Sequence, residues 1–389
     1  DVVALEHQAG AVAKLGPALG WLPKIGPLLE DAPALLEMAD GLTEAGVLLW
    51  DASAPALDAL ATGEEDMLPQ LAAAAELIQP HLPRAKTAIA RAQNAHAEID
   101  VEALPWRIRS PLEKIDPLLP WLDEGLALAE AAPSLLGLNK LRTYLVLALN
   151  EDELRPGGGF ITGVGEIQLN NGDIAKMDFK DAYAVDDFSQ PYPDPPDPLR
   201  QFLGVDLWVL RDSNWSPDFP TAARQAIHLY RPGYEVEIDG VIAVDQHAVQ
   251  QLVKAIGPLT VQGVDQPITG ASLLDYIHQA WAPEGGEIDR EWWKQRKDFM
   301  GTIAQSALAR VQSGHVDWRS LATNTMQLLE EKHLLITANE PTVSKLLAER
   351  GWDGSLHRPQ GDYLMLVEAN LGYNKASAKI QRAVQYQVD

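Results

Sequence analysis

Two short runs hold most of the chemistry this chain can do. Leu145–Phe160 reads LVLALNEDELRPGGGF, an apolar run ending in Asn150, Asp152, Glu153 and Arg155 and then three glycines. Arg211–Pro220 reads RDSNWSPDFP and offers Arg211, Asp212 and Asp218. Charged side chains launched from the end of an apolar strand sit where open α/β sheets place their sites. Arg155 and Arg211, if they converge, would clamp a pyrophosphate through forked, charge-assisted hydrogen bonds. Asp152 and Asp212 beside them are candidate ligands for Mg²⁺, a hard cation that takes carboxylate oxygen and offsets phosphate charge. The same residues also admit a structural reading, in which Arg155 and Asp212 are ion pairs pinning the turn and the loop after it.

Asn150, Asp218, Asp239 and Lys375 complete the candidate binding set. Asp239 and Asp245 bracket a strand; Asp245 precedes a helix and reads as its N-cap, whereas Asp239 is a candidate to point toward the site. Gly157–Gly159 could present N–H groups to an anion, but no Lys-Ser/Thr follows, so this is not a P-loop. A tight turn using positive φ is the simpler use of three glycines. The nine histidines show no HExxH or other close metal spacing, and His228, His247, His278 and His333 read as surface or interface residues. No GxSxG signals a serine nucleophile. Trp208, Trp215, Trp281, Trp292, Trp293 and Trp352 serve either to fill cores or to line a groove for lipid or sugar.

The elements that must position these residues fall into two grammars. Residues 1–136 are rich in Ala, Leu and Pro. They read as helices near 56–60, 67–78, 84–104 and 112–131, separated by prolines, and so as a helical bundle or stalk. With 21 acidic against 8 basic residues, this region has an acidic surface suited to solvent, a basic partner or self-assembly. Residues 137–389 alternate strands and helices. Strands are expected at 144–149, 160–169, 174–179, 238–244, 259–261, 334–337, 363–367 and 380–388. Helices are expected at 221–230, 245–256, 270–281, 287–312, 317–332 and 342–349. Asn170-Asn171-Gly172 predicts a hairpin turn, and five prolines within 186–198 predict an ordered loop or lid. This is the pattern of a three-layer α/β/α sandwich around a mixed sheet, preceded by an all-helical region. The last strand runs to the chain end, so the domain is expected to continue past Asp389.

Composition narrows the function. A net charge of -24 opposes wrapping nucleic acid or coating an anionic bilayer. The absence of cysteine excludes disulfides, thiolate metal sites and cysteine nucleophiles. No apolar run is long enough to span a bilayer, and an anchor upstream of Asp1 is left open.

Several words in the second region are specific: Arg142-Thr-Tyr-Leu, Asn150–Phe160, Arg211–Pro220, Ile238–Asp245, Gly257-Pro258, Glu331–Leu335, Gly351–Gly354 and Ala369–Lys375. Through them residues 138–389 resemble a bacterial family catalogued only as a domain of unknown function, numbered 4012. Its members typically carry an N-terminal membrane-spanning helix and look exported. The resemblance implies an extracellular or cell-surface protein, membrane-anchored by a segment outside this chain. More distantly, the region is similar to the LytR–CpsA–Psr enzymes. These are extracytoplasmic α/β/α proteins that transfer polyprenyl-pyrophosphate-linked glycopolymers to the cell wall with Mg²⁺. Asp152, Arg155 and Arg211-Asp212 stand where that family has its Asp and Arg residues. Where the enzymes have arginines near the domain end, this chain has Asn370, Asn374 and Lys375. Two functions follow as expectations. One is a Mg²⁺-dependent glycopolymer transferase with a polyprenyl-pyrophosphate glycolipid site. The other is a non-catalytic surface or structural protein that contacts an envelope protein or its own copies.

Overall fold

The computed structural model describes residues 22, 26–62, 67–230, 236–280, 298–314, 316–372 and 374–387. The chain divides into a helical unit, up to Ala61 and over Pro69–Pro133, and an α/β unit of Ser134–Asp389 with which Thr62–Leu68 is grouped. No described helix is long and apolar enough to cross a membrane.

The helical unit is built from α1 (Ala32–Thr62), α2 (Met67–Ile78), α3 (Leu82–Ala97), α4 (Trp106–Ile115) and α5 (Leu119–Leu135), the end of α1, the start of α2 and the last two residues of α5 being grouped with the α/β unit. Alanine makes close packing possible. Ala85, Ala88, Ala92 and Ala95 recur at helical spacing on the buried face of α3. Gly41 of α1 lies so close that a Cβ there would stand 2.5 Å from the Ala88 carbonyl oxygen. Arg91 straps the same two helices together through Asp40 and Glu44. Prolines mark boundaries at the start of α3 and before α4, but Pro55, Pro111 and Pro133 lie inside helices. A proline inside a helix removes one hydrogen bond without requiring a break.

In the α/β unit five strands form one mixed sheet: β1 (Arg142–Asn150), β2 (Phe160–Asn170), β3 (Asp173–Asp181), β4 (Gly240–Val244) and β5 (Leu334–Ala338). Their order is β3-β2-β1-β4-β5. Only β1 and β4 run parallel; the other pairs are antiparallel. Asn171 and Gly172, both at positive φ, make the β2–β3 turn as its sequence predicts. Around the sheet stand α6 (Phe219–Tyr230), α7 (Gln246–Ile256), α8 (Leu273–Ala280), α9 (Asp298–Gln312), α10 (Trp318–Glu330) and α11 (Pro341–Glu349). Leu145, Leu147 and Leu149 of β1 pack with α6 in one core. Val253, Ile256, Leu273 and Ile303 of α7, α8 and α9 form a second. The expected architecture, helices around a mixed sheet after an all-helical region, is the one observed.

Three expected strands are not in the sheet. Residues 259–261 contribute one isolated bridge, Leu259 to Ile268. Residues 363–367 and 380–387 have no regular secondary structure and pair with no strand, and Leu364, Leu366 and Val384 are exposed. Their composition favours a strand, yet a strand exists only where a neighbour accepts its hydrogen bonds. Residues 287–297 of the expected 287–312 helix lie outside the described residues, as do Trp281, Trp292, Trp293 and Val388; its remainder is α9.

Candidate functional site

Strand β1 delivers Asn150 to the C-terminal edge of the sheet, and a register shift between Ala148 and Leu149 re-aims the strand just before it. Asn150 is 2 % exposed. Its Oδ1 accepts from the Asp152 amide at 3.0 Å and from Gln246 Nε2 at 3.1 Å. The glycines that follow serve the turn. A Cβ on Gly159 would lie 2.5 Å from the Asn150 carbonyl oxygen, and Gly158 has φ +113. The Gly157 and Gly158 amides donate to the carbonyls of Asn214 and Arg155, so this run is no anion cradle.

The arginines expected to grip a pyrophosphate are engaged elsewhere. Arg155, 2 % exposed, donates from Nε to Asp212 at 2.9 Å and from Nη2 to Glu153 at 3.0 Å. Its Nη1 donates to the carbonyls of Leu154 and Asn370, and its guanidinium lies over the Phe160 ring. Arg211 pairs with Asp186 and stacks on Tyr183. Burial pushes the Asp186 carboxyl up to about 6, against the pull of Arg211. Asp152 faces His278 at 3.4 Å. Asp218 caps the start of α6 through Thr221 and accepts from the Leu356 amide. Asp239 sits at the amino end of β4, bound by Arg142 at 2.8 Å and the Thr143 amide at 2.9 Å, so it faces the edge opposite Asn150. Lys375 is exposed in the loop before the turn Ala376–Lys379. Asp152 and Asp212 do not fit a shared Mg²⁺: Asp212 is committed to Arg155, and neither joins a metal-competent donor set among the described residues.

The structure instead gathers a different group at the carboxyl ends of the parallel pair β1 and β4. Here the chain leaves β1 toward β2 on one side and β4 toward α7 on the other, the kind of crevice where open sheets bind ligands. An apolar cavity of about 220 Å³ opens there between the sheet and α7, α8 and α9. Its walls include Phe179, Val249, Ile277, Met300, Ile303 and Ala304, and its polar residues include Asn150, Asp245 and Gln246. Among the described residues, no tryptophan and none of the 186–198 loop lines it. Trp352 is buried, and Trp208 packs on the α6-side core with its indole N–H on the Asp212 carbonyl.

Beside this cavity Asp245 caps α7, as expected, by accepting the Ala248 amide at 2.7 Å. Its other oxygen meets His333 Nδ1 at 2.6 Å. Glu151 accepts the His247 amide at 3.3 Å, and burial, then the nearby Asp245, raise its carboxyl above the usual range. The rings of His247 and His333 lie 4.4 Å apart. Two donor sets share His333: Glu151 with Asp245, and His247 with Glu331, each set within 4.8 Å. Two of the four histidines read as surface or interface residues, His247 and His333, are thus brought together. Pairing of Val244 with Leu334 sets Asp245 beside His333. A legible signal existed: Glu151 and Asp245 directly follow a strand and His333 directly precedes one.

No curated protein matches the chain. Among solved structures, the Lin1025 protein from Listeria innocua matches with a TM-score of 0.29 and 14% identity, over 56% of this chain and 80% of that one. Residues 139–281, which hold the triple-glycine turn, Arg211 and Asp245, match the model of the family described as "Protein of unknown function (DUF4012)".

Proposed function

We propose that the α/β unit is a non-catalytic binding module of the cell envelope that holds the tail of an amphiphile, an acyl or polyprenyl chain. The observation that carries this is the cavity of about 220 Å³, apolar along its walls and polar at Asn150, Asp245 and Gln246. Ligand sites commonly combine an apolar lining with a few convergent polar groups. Hydrocarbon suits the walls; a hydroxyl head would stay at the strand ends, and an anionic one would lie outward in solvent, away from Glu151 and Asp245. The distant resemblance to enzymes that handle polyprenyl pyrophosphates agrees in ligand class.

Mg²⁺-dependent glycopolymer transfer has less support. It needs cationic donors free to hold a pyrophosphate, and Arg155 and Arg211 are both committed to carboxylates. The test is saturable binding of a polyprenyl phosphate, presented in detergent, to the purified protein. Ala304→Trp and Val249→Trp fill the cavity and are expected to lower the bound fraction at least tenfold with melting unchanged. Equal binding by both variants would place the lipid elsewhere, and no binding by the unaltered protein would refute the proposal.

A further inference from the structure

Most buried acids described in the α/β unit have a basic partner. Asp212 has Arg155, Asp239 has Arg142, Asp186 has Arg211 and Glu166 has Lys176. Glu151 and Asp245 are different. Their carboxylates converge at the ends of β1 and β4, and among the described residues neither pairs with an arginine or lysine. Among the described residues the balancing groups are imidazoles: His333, just before β5, bonded to Asp245, and His247 beside it. Two partly buried carboxylates brought together without an arginine or lysine cost free energy unless a cation joins them.

We propose that Glu151, Asp245 and His333 bind a first-row divalent transition ion of the Zn²⁺ class. Their ligating atoms lie within 4.8 Å of one another, close enough to share one ion. The register of the sheet, rather than a flexible loop, fixes two of the three: the Asp245 amide donates to the His333 carbonyl at 3.3 Å. The donor chemistry selects the metal. Mg²⁺ and Ca²⁺ favour all-oxygen shells, whereas two carboxylates with an imidazole suit Zn²⁺ and its neighbours. Binding displaces any proton on the ligating nitrogen, so the ion replaces the Asp245–His333 hydrogen bond as the link between these strands. The neighbouring set of His247, Glu331 and His333 is the weaker claimant. Glu331 is exposed and already accepts from Gln327 at 2.9 Å.

The experiment uses the full chain, stripped with chelator, dialysed and titrated calorimetrically with ZnCl₂ and separately with MgCl₂. One Zn²⁺ per chain, a raised melting temperature and much weaker Mg²⁺ binding are expected. Glu151→Gln and His333→Gln should each weaken Zn²⁺ by at least the roughly 10–100-fold that even an outer-sphere partner is worth. Glu331→Gln should leave the affinity unchanged. Glu151→Gln keeps the test decisive if His333→Gln misfolds. Absence of Zn²⁺ uptake, or loss on Glu331→Gln with Glu151→Gln silent, would overturn the assignment. The titration contains no lipid, so it stands or falls apart from the amphiphile reading.

Discussion

At the scale of single residues, the chain shows that identical side-chain types can be spent in opposite ways. Arg211 and Asp186 make an ion pair, yet Asp186 is held near 6 because burial outweighs the attraction of Arg211. Removing a carboxylate from water often costs more than one partner returns. The consequence for stability has a definite sign. The folded chain keeps a proton on Asp186 that the unfolded chain, with its ordinary value of 3.8, has already released. This contribution is therefore full below about pH 4, declines as pH rises toward 6, and is gone above it. A shift of about two units corresponds to roughly 3 kcal/mol at most. Urea unfolding followed between pH 4 and 7 is expected to show that decline, and Asp186→Asn to flatten it. An unchanged slope in Asp186→Asn would mean that the proton resides elsewhere.

At the scale of elements, Arg155 ties three segments together: the turn after β1 through Glu153 and Leu154, the loop carrying Asp212, and the distant Asn370. Truncating it leaves two buried carboxylates without their cation, a change that costs about 3–5 kcal/mol. Arg155→Ala is expected to destabilise the α/β unit by that order, measured by denaturant midpoint. A loss of ligand binding with stability intact would restore the phosphate-clamp reading. The same residue shows what was legible in the sequence and what was not. The β2–β3 hairpin, the α7 cap at Asp245 and four of the five sheet strands are local features, set by alternation, turn residues and caps within a few positions. β5 is equally plain from Leu334–Ala338, but its place beside β4 is not, because pairing depends on partners some 90 positions away. The cluster of Glu151, Asp245 and His333 inherits that difficulty. Each residue is ordinary in its own neighbourhood and becomes a site only through register. The opposite error affects residues 363–367 and 380–387, where strand-forming composition is present and the partner is not.

At the scale of the molecule, the two units are built on separate cores. Met38, Ala92, Leu104 and Leu112 with Ala45, Ala85, Ala88 and Leu126 make those of the helical unit. The α/β unit has its own clusters on either side of the sheet, and none of the four shares a residue with another unit. Each core can close without the other, since burial is proportional to the apolar area a unit removes from water by itself. The groups that finish the start of β1 also belong to the α/β unit: Arg142 donates to the Ser134 carbonyl and hydroxyl, and Tyr144 to the Leu135 carbonyl. A fragment comprising residues 134–389 is therefore expected to fold alone. Urea unfolding of the whole chain should show two transitions, of which the fragment keeps one at the same midpoint, together with polyprenyl phosphate and Zn²⁺ binding. Added salt should move mainly the other transition, because residues 1–136 concentrate 21 acidic residues against 8 basic ones and screening relieves their repulsion. One cooperative transition for the whole chain, or a fragment lacking a sharp midpoint, would show that the helical unit completes the α/β fold.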